Sequence, residues 1–269
     1  MYLCPMSDNA KVILLNAHHC SAPGGNRLAD AIPLLCALVP NAVEVPAPLA
    51  GDGQIHEGVR NLRAIVAHAR ALANVLADAT PPIYNLGADC GGELTVVAKL
   101  NHHYKGCLRL LWFDAHADLN TPATSPSANF HGMILRTLAG EGPPALAEFV
   151  PIPISLDRIA LSGLRDADPA EREYISVHGI PILDRFETLD LADPLYVHVD
   201  YDVLDGDLYP DSVYPTPNGM HLDELISTLR WLRTHRAIAG MSLTEYVPKS
   251  GDEATVRGLI REGLGIGGA

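Results

Sequence analysis

Positive charge is scarce in this 269-residue chain, which carries 19 Lys and Arg against 32 Asp and Glu, a formal net charge of -13. Such a surface repels phosphate backbones and anionic lipid. Nucleic acid and membranes are therefore not expected partners, whereas a small cationic molecule is. Cysteine is also sparse: Cys4, Cys20, Cys36, Cys90 and Cys107 form an odd set without a CxxC pair. That argues against a disulfide framework and for a reducing compartment, the cytoplasm by expectation. No apolar run reaches bilayer length, and the first residues lack the basic, apolar and small-residue succession of a secretion signal, so the chain is expected to be neither anchored nor exported. Charged residues make up only 19% against 48% hydrophobic ones, too apolar a balance for disorder. With no internal repeat, charge block or low-complexity tract to mark a boundary, a single domain over residues 1–269 is expected.

What the sequence does contain is a series of short, nearly continuous apolar runs rich in β-branched residues, at 12–15, 42–45, 83–86, 108–113, 158–161, 195–199 and 238–243. Strands buried on both faces read this way. Helical patterns lie between them. The clearest covers residues 55–78, where Val59, Leu62, Ile65, Val66, Ala69 and Ala73 recur at spacings of three and four. A shorter helix is expected at 132–138, just after His131. The alternation predicts βαβ units and an α/β fold with a mostly parallel sheet.

Two of the runs end in chemistry. The run 108–113 passes into Asp114-Ala115-His116-Ala117-Asp118, and 195–199 passes into Asp200-Tyr201-Asp202-Val203-Leu204-Asp205. Alternate residues of extended chain share a face, and open parallel sheets bind ligands beyond the carboxyl ends of their strands. Carboxylates joined by an imidazole suit Mn2+, Fe2+ or Zn2+. Standing alone, the segment at Asp114 has a solvated acidic turn as its lesser alternative. Together the two segments would crowd so many carboxylates into one crevice that their repulsion must be relieved, and two cations relieve it.

These two segments, with Asn129-Phe130-His131-Gly132-Met133 and with Glu245 beyond the run 238–243, resemble the ureohydrolase family of arginases, agmatinases and formimidoylglutamases. The resemblance runs through most of the chain after about Pro82. It implies a three-layer α/β/α fold around a mostly parallel sheet, hydrolysis of a guanidino C–N bond, and a cluster of two Mn2+ ions, other divalent metals being possible. It makes Asp114 and Asp200 bridging ligands, with His116 and Asp202 completing one metal site and Asp118 helping to complete the other. The family closes that second site with a histidine in an Asp-His pair after a glycine-rich turn, whereas this chain reads Gly87-Ala88-Asp89-Cys90. A lone cysteine is usually a small buried hydrophobe, but its place in this motif makes Cys90 the expected ligand. The same exchange resembles the Nω-hydroxy-L-arginine amidinohydrolase branch of the family, which forms ornithine and hydroxyurea.

By the same resemblance Asn120, Ser125 and Ser127 would bind a substrate α-carboxylate, Asp168 in the segment 161–168 the α-amino group, and Glu245 the guanidino group. His131 would shuttle protons, a role its near-neutral pKa permits. Asp118 would steady the attacking hydroxide and pass a proton to the leaving amine. Taken singly, each of Asn120, Ser125, Ser127 and Asp168 reads more readily as a turn or loop cap, their joint spacing being what favours binding, and Asp205 is open to a cap or to a supporting place beside the cluster. The expected substrate is a small guanidino amino acid, Nω-hydroxy-L-arginine or L-arginine. Agmatinase or formimidoylglutamase activity is one alternative, and a metal-binding pseudoenzyme is another. The family's habit implies trimers or hexamers. The pairs His18-His19 and His102-His103 receive no role, because adjacent residues point apart on a regular element.

Overall fold

The computed structural model describes residues 12–16, 26–45, 51–186 and 193–266, so Cys4, Cys20, His18 and His19 lie outside the described residues. Among the described residues seven strands form one sheet: β1 Val12–Asn16, β2 Val43–Val45, β3 Ile83–Gly87, β4 Arg109–Phe113, β5 Ile159–Ser162, β6 Leu195–Val199 and β7 Ile238–Leu243. Their order is β2-β1-β3-β7-β6-β4-β5, and every neighbouring pair is parallel. Each predicted run is thus a strand, displaced by no more than a residue or two at its ends. The continuous apolar character has a direct cause in β4, where Leu110 and Trp112 enter one core while Leu111 and Phe113 enter the other.

Helices cover both faces. The longer ones are α1 Ile32–Leu38, α2 Leu62–Val75, α3 Leu94–His103, α4 Pro169–His178, α5 Leu222–His235 and α6 Glu253–Gly258. Ile65 and Leu72 of α2, with Val97 and Leu100 of α3, pack with Leu110 and Trp112. On the other face Leu35 of α1, Leu225, Leu229 and Leu232 of α5, and Val256 of α6 pack with Leu111 and Phe113. The result is three layers, α/β/α, with the sheet dry on both sides. Among the described residues no helix is long and apolar enough to cross a membrane.

Two elements depart from the pattern. The expected helix at 55–78 begins only at Leu62, because Ile55–His56 and Val59–Arg60 form an antiparallel hairpin. Glu57, Gly58 and Asn61 all take positive φ (51°, 75° and 59°), which a right-handed helix does not admit. From Leu62 onward the buried residues Leu62, Ile65, Ala69 and Leu72 keep the predicted spacing. The expected helix at 132–138 is instead a tight turn Phe130–Met133, a single α turn Ile134–Arg136 and a wide turn Thr137–Glu141.

Strand order is what assembles a site. β3, β7, β6 and β4 lie side by side and run the same way, so the chain leaves all four at one edge of the sheet. Immediately beyond those ends come Cys90, Glu245, Asp200 with Asp202, and Asp114 to Asp118. Backbone bonds carry the pairing past the strands: Asp200 N donates to Phe113 O at 2.8 Å, Thr244 N to Val199 O at 2.9 Å, and Glu245 N to Ala88 O at 2.9 Å.

Candidate active site

Every residue predicted for the site, from Cys90 to Glu245, lines one cavity of about 220 Å³ at that edge. The turns that deliver them are tight. Ala88, Asp118 and Glu245 each hold a left-handed backbone (φ 68°, 55° and 58°) that non-glycine residues adopt at a cost of about 1–2 kcal/mol. Gly87 (φ 81°) must be glycine for a second reason: a Cβ there would meet Asn16 O at 2.7 Å.

The two acidic segments fold by the same local device. Asp114 Oδ1 accepts from His116 N at 2.7 Å, and Asp200 Oδ1 accepts from Asp202 N at 2.8 Å. Each first aspartate thereby caps its own turn through one oxygen, which leaves the other for partners outside the turn. Ala115 N donates to Asp202 Oδ1 at 3.1 Å and joins the two segments. His116 Nδ1 lies 3.1 Å from Asp202 Oδ2 and 3.4 Å from Asp114 Oδ1, so Asp114, His116 and Asp202 present ligand atoms within 4.8 Å of one another. A second group sits deeper. The Cys90 thiol donates to Asp200 Oδ2 at 3.0 Å and lies 4.0 Å from Glu245 Oε1, and its sulfur is grouped at the same 4.8 Å limit with Asp114 and Asp118. From the core, Trp112 Nε1 donates to both Asp114 Oδ2 (3.2 Å) and Asp118 Oδ2 (3.3 Å).

Burial pushes Asp118, Asp200 and Glu245 well above the usual carboxylate range, and each is pushed further by a neighbour: Asp114 acts on Asp118, Asp202 on Asp200, and Asp89 on Glu245. Burial and then Asp202 raise Asp114. The Cys90 thiol is likewise held well above its ordinary value, by burial first and by Asp200 next. Burial also disfavours the charged forms of Asp202 and His116, but hydrogen bonding wins: His116 holds Asp202 down, and Asp114 and then Asp202 hold His116 up. A cluster of this kind calls for positive charge. Carboxylate oxygens, an imidazole and a thiol in two overlapping groups fit two small divalent cations, whose binding would displace the protons.

The model of the arginase family matches residues 41–260. The chain belongs to the arginase family. Staphylococcus aureus arginase is 32% identical over 180 residues, a stretch that makes up 61% of this chain and 59% of that protein, so the match spans less than two thirds of that relative's length. Bacillus caldovelox arginase is 29% identical over 228 residues, 75% of each chain. Among solved structures, Bacillus subtilis arginase aligns with a TM-score of 0.77 at 26% identity, covering 96% of this chain and 99% of that one.

One side of the cavity is a linked set of polar groups. Asn120 Nδ2 donates to Asp168 Oδ2 at 2.8 Å, and Asn120 Oδ1 accepts from Thr124 Oγ1 at 2.9 Å. Ser125 Oγ and Ser127 Oγ lie 3.4 Å apart and accept from Ala128 N and Asn129 N. Asp168 forms a capping box with Glu171 at the start of α4. Ser125, Ser127 and Asp168 are therefore turn and helix caps, and with Asn120 they also line the cavity. Asp205 is a turn cap, accepting from Asp207 N and Asn218 N.

Three contributors lay outside the sequence-derived set. Tyr214, within the proline-rich stretch 210–217, stacks on His131 (ring centroids 5.6 Å apart, planes 10° apart) and turns its edge to His116 at 6.2 Å. Only its aromatic character in an otherwise small-residue loop could have marked it. Asp166 lines the cavity beside the expected Asp168. Arg165 donates to the carbonyls of Asp202 (2.6 Å), Leu204 (3.1 Å), Thr216 (2.8 Å), Pro217 (2.9 Å) and Gly163 (2.9 Å), fastening three loops with one guanidinium. His131 lies 3.6 Å from Glu245 Oε1, and burial pushes its pKa down.

Proposed function

We propose that this chain is an amidinohydrolase that cuts the guanidino C–N bond of an arginine-like amino acid. Nω-hydroxy-L-arginine is the favoured substrate, giving L-ornithine and hydroxyurea, with L-arginine, giving L-ornithine and urea, second. The observation that carries this reading is the Cys90 thiol 3.0 Å from Asp200 Oδ2, inside the carboxylate cluster and at the position where the family is expected to hold a histidine. The arginase relatives support a guanidino amino acid as substrate class. A single domain and a trimer or hexamer are part of the same proposal.

Cys90, Asp114, His116, Asp118, Asp200 and Asp202 would hold two divalent cations, manganese by family habit, although a thiolate admits a softer ion. When bound, such ions offset the buried negative charge and lower the pKa of a water towards neutrality, which supplies the nucleophile. Cys90 would enter the site as a thiolate, one unit more negative than an imidazole, and so leave less Lewis acidity for that task. An N-hydroxylated guanidine is less basic than arginine's and is more easily presented neutral and electrophilic, which suits a weakened site.

The remaining chemistry belongs to side chains. Asn120, Ser125 and Ser127 orient an α-carboxylate and Asp168 an α-amino group, which fixes the guanidino carbon over the acidic cluster. Glu245 holds the guanidino nitrogens. Asp118 hydrogen-bonds the attacking hydroxide, takes its proton and passes that proton to the leaving amine. His131 carries to solvent the proton that the next water gives up, its ring steadied by Tyr214. Agmatine lacks the carboxylate that the Asn120 and Ser125 wall would bind.

The test is ornithine release by Mn2+-reconstituted protein from Nω-hydroxy-L-arginine and L-arginine, with agmatine and formiminoglutamate as controls. Turnover in the order hydroxyarginine, arginine, agmatine is expected. Metal-loaded protein inactive on both amino acids overturns the proposal, and uptake of a single metal per chain together with that inactivity points to a pseudoenzyme.

A further inference from the structure

One buried imidazole beside the cluster has no place in the ligand set above. His198 sits on β6 two residues before Asp200 and is fully buried. Residues two apart on a strand share a face, so His198 lies one step deeper than Asp200 on the side that carries the carboxylates. Its Nδ1 is 3.0 Å from Glu93 Oε2 and 3.3 Å from Ser242 Oγ, and its ring is stacked on Trp112 with centroids 3.5 Å apart and planes 11° apart. Its Nε2 has no hydrogen-bond partner among the described residues.

With Glu93 accepting the Nδ1 proton, the imidazole is fixed as the tautomer whose Nε2 lone pair is bare. A buried polar atom left bare costs about 1–3 kcal/mol unless something takes it. What lies in front of Nε2 is the acidic cluster: Asp114 Oδ2 is 3.9 Å away, and Cys90, Asp114, Asp118 and His198 all present ligand atoms within 4.8 Å of one another. Two ligand atoms on one small cation, with bonds of about 2.0–2.2 Å, lie about 3–4 Å apart. A carboxylate on one ring nitrogen and a free lone pair on the other is the arrangement that orients a metal-binding histidine and raises its basicity.

We propose that His198, oriented by Glu93, is a further ligand of the cation held by Cys90, Asp114 and Asp118. It supplies from inside the sheet the imidazole that Cys90 does not supply from its turn. This rests on the two-cation reading above. A thiolate and an imidazole together make this site softer than that of Asp114, His116 and Asp202, so the two sites differ in metal preference.

The experiment uses wild-type protein with nitrogen-labelled histidine, loaded with an NMR-active cadmium isotope. Two cadmium ions per chain are expected, and the resonance shifted by thiolate should couple to one imidazole nitrogen. That coupling should vanish in His198→Phe, which keeps a ring stacked on Trp112, and Co2+ titration of the variant should show that site weakened at least about tenfold. Glu93→Gln, which leaves the imidazole in place with a poorer acceptor, should weaken the site by a smaller factor. Two bound ions with no nitrogen coupled to the thiolate-shifted cadmium overturn the role of His198 alone, without any variant having to fold. Unchanged affinity in folded His198→Phe does the same. Fewer than two cadmium ions per wild-type chain overturns the two-cation reading and the proposal with it.

Discussion

Arg165→Lys tests whether the site is held by one guanidinium. Nη2 of Arg165 serves the carbonyls of Asp202, Leu204 and Thr216, Nη1 that of Gly163, and Nε that of Pro217. Gly219 leaves the room for this, since a Cβ there would lie 2.6 Å from Nη2. Burial lowers the Arg165 pKa from the ordinary arginine value, yet a guanidinium remains charged across the working range. Lysine offers three donors on a single nitrogen and cannot span acceptors on three loops. Charge-assisted hydrogen bonds are worth about 1.5–3 kcal/mol each. Water recovers part of that for the outer carbonyls, which leaves a net loss of about 2–4 kcal/mol. For a chain of this size that lowers the melting temperature by about 5–15 °C. A purely structural role would stop there. Because Asp202 is anchored through its own carbonyl, affinity for the cation proposed at Asp114, His116 and Asp202 should also fall, by about 10–100-fold. Thermal melts and Mn2+ titrations of wild type and variant read both effects. A variant that melts with wild type and binds Mn2+ equally well refutes the reasoning.

Chelation should lower the melting temperature, and by more near pH 8 than near pH 6. Asp118, Asp200 and Glu245 have folded pKa values raised by burial, so the metal-free folded state holds protons that the unfolded chain has lost. Its stability then falls by about 1.4 kcal/mol per pH unit per proton above the unfolded carboxylate range, until each folded pKa is passed. Cations at about 100 times their Kd restore about 2.7 kcal/mol per site; a gap between loaded and stripped protein that narrows with rising pH would contradict this. Asp168→Asn keeps an oxygen for the α4 cap but loses the charge for an α-amino group. It should raise KM for amino-acid substrates by about 10–100-fold, with only the small fall in melting temperature that losing the bond from Asn120 brings, and an unchanged KM would remove Asp168 from substrate binding.

The strands were legible because burial on both faces writes itself as an uninterrupted apolar run, as in Leu110 to Phe113. The acidic segments were legible because they follow such runs directly. The start of α2 was not, because the three-to-four spacing continues through Val59 while Glu57, Gly58 and Asn61 bend the backbone the other way. Tyr214 and Arg165 were hidden for a different reason. Their roles depend on loops from distant parts of the chain meeting beyond the sheet edge, and nothing in local pattern reports that. His198 reads as one more residue of a buried strand until Glu93 and Trp112 are seen to aim it.

The central claim is that this site hydrolyses an amino-acid guanidine and that Cys90 sets which one. The most direct measurement is kcat/KM for ornithine release from Nω-hydroxy-L-arginine and from L-arginine, by Mn2+-loaded wild type and by Cys90→His. Wild type should prefer the hydroxylated substrate, and Cys90→His should shift the ratio towards arginine by about tenfold or more, a change of about 1.4 kcal/mol in relative barrier. A ratio that does not move would contradict the account.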